Sequence, residues 1–411
     1  MNSKTASLSN VKTEETKGIS KGELRAAFSL GGIYSLRMLG LFMILPVFPL
    51  YAGQLKGNTP LLTGLAIGAY GLTQAIFQIP FGMLSDKVGR KSIIILGLLI
   101  FAGGSIVAAL STSIYGVIAG RALQGAGAIA AVLMALLADL TREKQRTKAM
   151  AILGMSIGAA FIMALLLGPI FNSWIGVPGI FWLTAGLALS GIVITLLIVP
   201  NPVESHFHSS AEPVPAMFGR VMKDGQLLRL DFGIFTLHML ITSSFIVLPL
   251  VLRDAVAFDP ARHWQLYLPV LLLSVVAMVP FIILAEKKGF MKEMFMGAIM
   301  ILALSELGLT LFHQDLFIIA FLLFSFFTAF NLLEAMLPSL VSRMTTPETK
   351  GTALGVYSSS QFLGAFIGGG VGGWMLGVYG AAGTFASCAV MALLWFIVAI
   401  GMKRPGKETI K

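Results

Sequence analysis

The stretch Gln78-Ile-Pro-Phe-Gly-Met-Leu-Ser-Asp-Lys-Val-Gly-Arg-Lys91 joins two long apolar runs, and its reading decides the fold. The first half is as apolar as the runs themselves, while the second half holds four charges and a glycine. A tight polar connection between two spans leaves little room for Asp86, Arg90 and Lys91, so these side chains must answer one another. A weaker copy follows two hundred residues later as Val279-Pro-Phe-Ile-Ile-Leu-Ala-Glu-Lys-Lys-Gly289. Pro80 aligns with Pro280, Phe81 with Phe281, Leu84 with Leu284, Asp86 with Glu286, Lys87 with Lys287 and Gly89 with Gly289. This internal repeat divides the chain into two related halves.

Composition sets the class. The 411 residues are 56% hydrophobic and only 12% charged, with a mean hydropathy of +0.88. Soluble domains carry roughly twice that charged fraction, and no single soluble core could bury so much apolar surface. An all-α polytopic membrane protein is therefore expected. Twelve apolar runs cover 24–50, 61–84, 92–110, 114–140, 149–171, 178–199, 230–252, 265–285, 294–312, 316–342, 351–378 and 382–402. Each approaches or exceeds the roughly 20 residues that a helix needs to cross the hydrocarbon layer. The alternating segments of a membrane barrel are missing.

The expected organisation is a mobile polar tail over 1–23, a six-helix bundle over 24–199 and a linker over 200–229. A second six-helix bundle over 230–402 and a short tail over 403–411 complete it. The tail precedes a first run too long for a signal peptide, so no cleavable leader is expected. Lysine and arginine set the orientation. With the N-terminus inside, the outer loops hold only Lys56, Arg253 and Arg262, and every other loop lysine and arginine lies inside. Both termini and the linker are therefore expected on the cytoplasmic side of the membrane. The net charge of +10 then belongs to a rim facing anionic lipid headgroups, and nucleic acid is not needed to explain it.

Of the 29 basic residues, Arg37 and Arg121 fall inside spans. Glu306 and Glu334 are acids at membrane depth, with Asp139 nearer the inner end of its helix. A charge at the bilayer centre costs at least about 2.5–3.5 kcal/mol, so such groups face a partner or a wet cavity. Arg37 lies about 20 Å along its helix, near mid-depth. These groups either carry protons or substrate, or are buried pairs that orient helices; Arg37 and Glu334 favour function. Glu306 in the outer half of its span can also reach the outer interface. His238 could exchange protons near neutrality. Tyr70, Gln74 and Gln78 recur at helical spacing, as do Tyr357 and Gln361, and Asn331 shares the face of Glu334. With Tyr34 they suit a cavity offering aromatic surface and a few amides to an amphipathic solute, although each could simply bridge helices. Gly64 with Gly68, Gly154 with Gly158, and Gly364, Gly368 and Gly372 are small-residue faces that allow close helix approach.

Gly82-Met-Leu-Ser-Asp86-Lys-Val-Gly89-Arg90-Lys91 resembles the loop signature between the second and third helices of the major facilitator superfamily. Arg121-Ala-Leu-Gln124-Gly125-Ala-Gly127 is similar to its fourth-helix signature, and Gly154, Gly158 and Gly168-Pro169 to part of its fifth-helix antiporter signature. The likeness runs from about Arg25 onward and is strongest toward bacterial drug:proton antiporters of that family. Some of these carry a small soluble ferredoxin-like domain at the C-terminus; with the sequence ending at Lys411, none is expected.

The resemblance implies twelve helices in two six-helix bundles. It implies that Asp86 faces the positive start of the eleventh helix near Gly351, while Arg90 bridges Asp86 and Asp139 in a latch. Gly82, Gly89 and Lys91 belong to the same latch, closed only when the transporter opens outward. It also implies that Arg121 and Gln124 support proton movement. The expected function is proton-coupled efflux of small amphipathic organic compounds by alternating access. The alternative is an importer or facilitator of a nutrient on the same fold. Partners are a small-molecule substrate, protons and lipids, with no cofactor beyond the proton gradient and a monomeric state. No phosphate-binding loop, metalloprotease motif or nucleophile elbow is present, which argues against an enzyme. His206-x-His208 is an isolated pair without further metal ligands.

Overall fold

Prolines, glycines and capping side chains set where each helix begins and ends. The computed structural model describes residues 18–201 and 215–403. The tail before residue 18, most of the linker with His206 and His208, and the chain after residue 403 lie outside the described residues.

The helices are α1 (Lys21–Phe42), α2 (Phe48–Ala52), α3 (Pro60–Val88), α4 (Arg90–Leu110), α5 (Ile114–Ala126), α6 (Ala130–Asp139) and α7 (Glu143–Leu197). After the linker come α8 (Phe218–Val221), α9 (Gly225–Asp254), α10 (His263–Lys288), α11 (Met291–Phe312), α12 (Leu316–Met344) and α13 (Pro347–Ile400). Among the described residues, nine helical stretches are long and apolar enough to cross a membrane, and α7 and α13 are long enough to do so twice. With α1, made less apolar by Arg37, they give the twelve crossings of an all-α membrane protein in two six-helix bundles.

Two glycines at equivalent places fold the double-length helices back on themselves. Gly176 in α7 has φ 68° and Gly380 in α13 has φ 68°, backbone angles that side chains rarely adopt. The repeat also shows at the other end of the molecule. Gly89 and Gly289, aligned by sequence, both adopt positive φ, at 99° and 74°. Lys91 at the start of α4 donates to the Val199 carbonyl at 2.6 Å, and Lys292 at the start of α11 donates to the Ile400 carbonyl at 2.8 Å. In each half a lysine thus satisfies the carbonyl end of the last crossing, where a cation is favoured. In this arrangement Lys91 accordingly turns to that helix end rather than to Asp86.

The fourth crossing was expected as one helix over 114–140; it is broken into α5 and α6 at Gly127. That carbonyl is taken by the Arg37 Nη2 at 3.0 Å, and the Gly127 Cα lies so close to the Gly97 backbone that no Cβ would fit. The buried guanidinium takes a carbonyl for itself, and the helix breaks where it does so.

The bundles meet at the face away from the basic loops. There α3 and α13 touch backbone to backbone, with Gly64 on Gly369, Gly68 on Phe366 and Gly373 on Pro60. Within the second bundle, Gly364, Gly368 and Gly372 similarly receive Phe235, Met239 and Ser243 of α9. Gly154 and Gly158 on α7 behave differently. A Cβ at either would meet open space, so the close approach expected of that pair is not made here. Toward the basic face, Met83, Leu84 and Val88 of α3 and Met155 of α7 are exposed, with Met155 at 68%. We expect Gly64→Leu to destroy the seam and lower the melting temperature of the purified protein. Gly154→Leu should leave that temperature unchanged in the same thermal assay.

Candidate functional site

Three groups of charged and polar side chains sit at different depths. At the basic end of the first bundle, Arg90 starts α4, directly after the glycine that ends α3. Its Nη1 pairs with the Asp86 carboxylate and donates to the Ser85 Oγ at 2.7 Å, while its Nε reaches the Asp139 Oδ2 at 3.2 Å. Arg90 and Asp139 are essentially buried, with side chains 1% and 0% exposed, whereas Asp86 is 33% exposed. The geometry joins Asp86, Arg90 and Asp139 and adds Ser85, which the sequence reading missed. Gly82 lies against Ala131 of α6, and Gly351 is buried in the first turns of α13. The start of α13 is closed by its own capping box of Thr346 and Thr349, and Asp86 is turned to Arg90 instead. Beside this group, the Glu23 carboxylate takes the Arg142 backbone N–H and Nε, both at 2.9 Å. The Arg142 guanidinium holds the Glu23 pKa well below the ordinary 4.5 and ties α1 to the start of α7.

At mid-depth in the first bundle lies a cationic group that, among the described residues, bonds amides and carbonyls rather than a carboxylate. Arg37 Nη2 donates to the Gln74 Oε1 at 2.6 Å, and the Tyr70 hydroxyl donates to the same oxygen at 3.2 Å. Gln74 in turn donates to the Gln78 Oε1 at 3.2 Å. Arg121 donates to the carbonyls of Ala66 and Ile67 and, at 2.8 Å, to the Gln124 Oε1; Gln124 donates to the Ser105 Oγ at 2.7 Å. The Tyr70 ring is shared by both guanidinium groups, 5.5 Å from Arg37 and 5.4 Å from Arg121, and Phe101 covers Arg37 at 5.3 Å. Aromatic faces stabilise such cations once they are stripped of water. Gln74 and Gln78 are 0% and 1% exposed, so they do not line an open cavity as expected. The Gln74 oxygen is needed inside the bundle to solvate Arg37, and the Gln78 oxygen to take the Gln74 amide.

In the second bundle, Gln361 of α13 donates to the Glu334 Oε1 of α12 at 3.3 Å and bonds the His238 Nε2 of α9 at 2.8 Å. The His238 Nδ1 lies 4.0 Å from the Glu334 Oε2. This triad is brought together by three helices, and the Glu334 side chain is 40% exposed. Tyr34 of the other bundle lies within electrostatic reach of Glu334, Arg37 and Tyr70. Asn331 donates to the Ser274 Oγ at 3.0 Å on α10, and Tyr357 stands one turn before Gln361. An aromatic bridge spans the two bundles here: Phe161 of α7 stacks on Phe330 of α12 at 6.1 Å, and Phe330 lies 6.1 Å from the His238 ring. Both phenylalanines escaped the sequence reading, although Phe330 sits one helical turn from Glu334.

Glu306 does not join this triad. It is 0% exposed, so it does not reach the interface either, and the Ser244 hydroxyl donates to it at 2.6 Å. A small cavity beside it is walled by Phe245, Phe326, Phe327 and Phe385. Glu306 faces Ser244 of α9 and a pocket walled by residues of α9, α12 and α13, all of the second bundle, which removes it from the space between the bundles.

A model of the Major Facilitator Superfamily matches residues 30–305 and 230–411, covering the crossings and the groups just described. The chain belongs to the Major Facilitator Superfamily. It is 49% identical over 384 residues to the inner membrane transport protein YajR of Escherichia coli (strain K12), covering 93% of this chain and 84% of that protein. The multidrug resistance protein MdtH of Aeromonas salmonicida (strain A449) is 26% identical over 343 residues, covering 81% and 84%. Among solved structures, a bacterial homolog of the human lysosomal transporter Spinster, inward-facing and unoccupied, superposes with a TM-score of 0.73. At 15% identity over 95% of this chain and all of that one, it speaks to the fold alone. This member of the superfamily is therefore a multi-pass membrane transporter and not an enzyme.

Proposed function

We propose that this transporter exports small amphipathic organic compounds from the cytoplasm in exchange for protons. The observation that carries the reading is the Glu334–Gln361–His238 triad. It sets an incompletely paired carboxylate beside an imidazole, part-exposed and next to the Phe161–Phe330 bridge. Such a group can take a proton in one state and a solute contact in the other, and intramembrane acids are functional candidates by default. The relationship to a protein named for multidrug resistance supports the export direction.

The basic loops are assigned to the cytoplasmic side, by the lysine and arginine asymmetry. Contact between the bundles at the opposite face then makes this an inward-facing arrangement. The Asp86–Arg90–Asp139 group is the cytoplasmic latch. When the bundles close there, Asp86 turns from Arg90 toward the start of α13, whose helix dipole attracts a carboxylate. Gly154 and Gly158, open here, are the small-residue face available for that closure.

Direction and coupling are read together in proteoliposomes with trapped pyranine and ethidium as the amphipathic probe. An imposed pH gradient should drive ethidium against proton flow, and ethidium addition should acidify or alkalinise the lumen accordingly. Co-movement of the two in the same direction would overturn export by exchange.

A further inference from the structure

His263 is the first residue of α10, at the outer end of the second bundle, and it is 0% exposed. Its Nε2 lies 3.2 Å from the Phe258 carbonyl, and its ring stacks on the Phe258 ring at 5.7 Å and meets Tyr267 edge-on at 6.2 Å. The other ring nitrogen, Nδ1, is enclosed and has no hydrogen-bond partner among the described residues. Since the carbonyl takes the Nε2 proton, a second proton would sit on Nδ1, where nothing accepts it. The position suits the neutral imidazole and not the imidazolium.

The surroundings of His263 belong to the seam between the bundles. The turn Pro260–Arg262 just before it and α10 itself both pack against α7 of the first bundle. One continuous apolar core crosses there, from Leu165 and Val177 of α7 to Leu266 and Tyr267 of α10, with Phe258 packed against it. The loop that carries the turn does not hold this form by its own preference. Ala257 has φ 54°, in the left-handed region that suits glycine, and such a residue keeps that angle only where its surroundings enforce it.

No neighbouring charge replaces the missing acceptor. The stretch of α7 from 149 to 197 contains no Asp, Glu, Lys, Arg or His. At the end of α9, Arg253 and Asp254 pair with each other at 2.6 Å, both exposed. In the turn, exposed Asp259 takes the Ala261 N–H at 3.0 Å and faces Arg262 at 3.9 Å. Asp259 favours a charged ring at His263 and Arg253 disfavours it, so the two oppose each other. On α12, which packs against α10, Asp315 is occupied by the Phe317 and Ile318 N–H groups. On α11, His313 turns to the Leu309 and Thr310 carbonyls, and Glu306 is bonded by Ser244.

We propose that His263 is a pH sensor of the outer face, whose protonation releases the turn Pro260–Arg262 from α7 and shifts the transporter toward the outward-open arrangement. The step is the uptake of one proton at Nδ1, and the parted form supplies the water that this N–H needs. A ligand that fits one of two states better shifts the population toward it, and here the ligand is the proton. Above about pH 6.5, the ordinary imidazole value, the ring is neutral in both forms and exerts no bias. Below that value each pH unit multiplies the open-to-closed ratio by about ten, until the closed form is protonated as well. The idea rests on the reading of two bundle arrangements above and adds what biases the choice between them from outside.

Spin labels at Ser173→Cys and Gln314→Cys, on the outer ends of the two bundles, report this opening in nanodiscs. Cys388 is replaced by serine, and Glu334→Gln removes the titration of that acid. Between pH 8 and about pH 5.5 the ratio of the longer to the shorter distance should rise about tenfold. His263→Gln retains a donor for the Phe258 carbonyl but takes no charge, so it should abolish the rise. His263→Asn carries the same test if the glutamine variant does not fold. His313→Gln, at the outer end of α11, should keep the rise. An undiminished rise in the neutral His263 variants, or a rise lost in His313→Gln, would overturn the proposal. Two populations whose ratio ignores pH in the parent protein would overturn it alone, whereas a single distance at every pH would overturn it together with the reading of two arrangements.

Discussion

Glu334→Gln should still bind and move ethidium down its gradient, yet should no longer concentrate it when a pH difference is imposed. Glutamine keeps the size of the side chain and can still accept from Gln361, so the packing of α9, α12 and α13 should survive. What it loses is the ability to take up and release a proton. A pH difference of one unit is worth about 1.4 kcal/mol per proton, or about a tenfold accumulation. The variant should therefore fall from about tenfold accumulation to about onefold in the same vesicles. Retained accumulation would remove Glu334 from coupling. Because Glu306 lies in its own apolar pocket, bonded by Ser244 and apart from the triad, Glu306→Gln should leave accumulation intact.

The second large effect is expected at the other end of the molecule. Asp86 is a third exposed and pairs with Arg90, which keeps Asp139 as a buried partner if Asp86 is neutralised. Asp86→Asn should thus insert and fold normally. Its cost falls on the state in which the basic face is closed, where the carboxylate would rest on the start of α13. A carboxylate there contributes about 0.3–2 kcal/mol depending on burial, and one or two kcal/mol shifts a two-state population by about five- to thirtyfold. Transport that must pass through the closed state should fall by up to about thirtyfold, the more so the more deeply the carboxylate is buried there. Asp139→Asn is a different lesion. It leaves Arg90 buried with one partner fewer, and removal of one member of a buried pair costs about 3–5 kcal/mol, so that variant should lose stability as well as transport.

The twelve crossings and the division into halves were legible because a span must be apolar over its whole length and a two-fold repeat copies its turn glycines. Gly89 and Gly289 share a positive φ, and Lys91 and Lys292 share a role at a helix end, just as the aligned loops suggested. The Arg90 bridge was legible too, since a short polar loop gives its charges few places to go. Side-chain direction was not. Tyr70, Gln74 and Gln78 recur at helical spacing whether their face looks into a cavity or into the bundle, and only Arg37 decides between the two by needing amide oxygens inside. The break at Gly127 has the same origin. Asp231, near the start of α9 and only 6% exposed, was hidden by its position, because an acid at the edge of a span looks like rim charge until the surrounding helices are seen to enclose it.

Alternation between two arrangements of the bundles, controlled by Asp86, is the claim on which the account stands. It is tested most directly by the distance between spin labels at Thr147→Cys and Lys288→Cys, on the basic ends of α7 and α10, with the buried Cys388 replaced by serine. The wild type should give two distance populations, and Asp86→Asn should leave only the longer one. A single distance in the wild type, or two unchanged populations in Asp86→Asn, would contradict it.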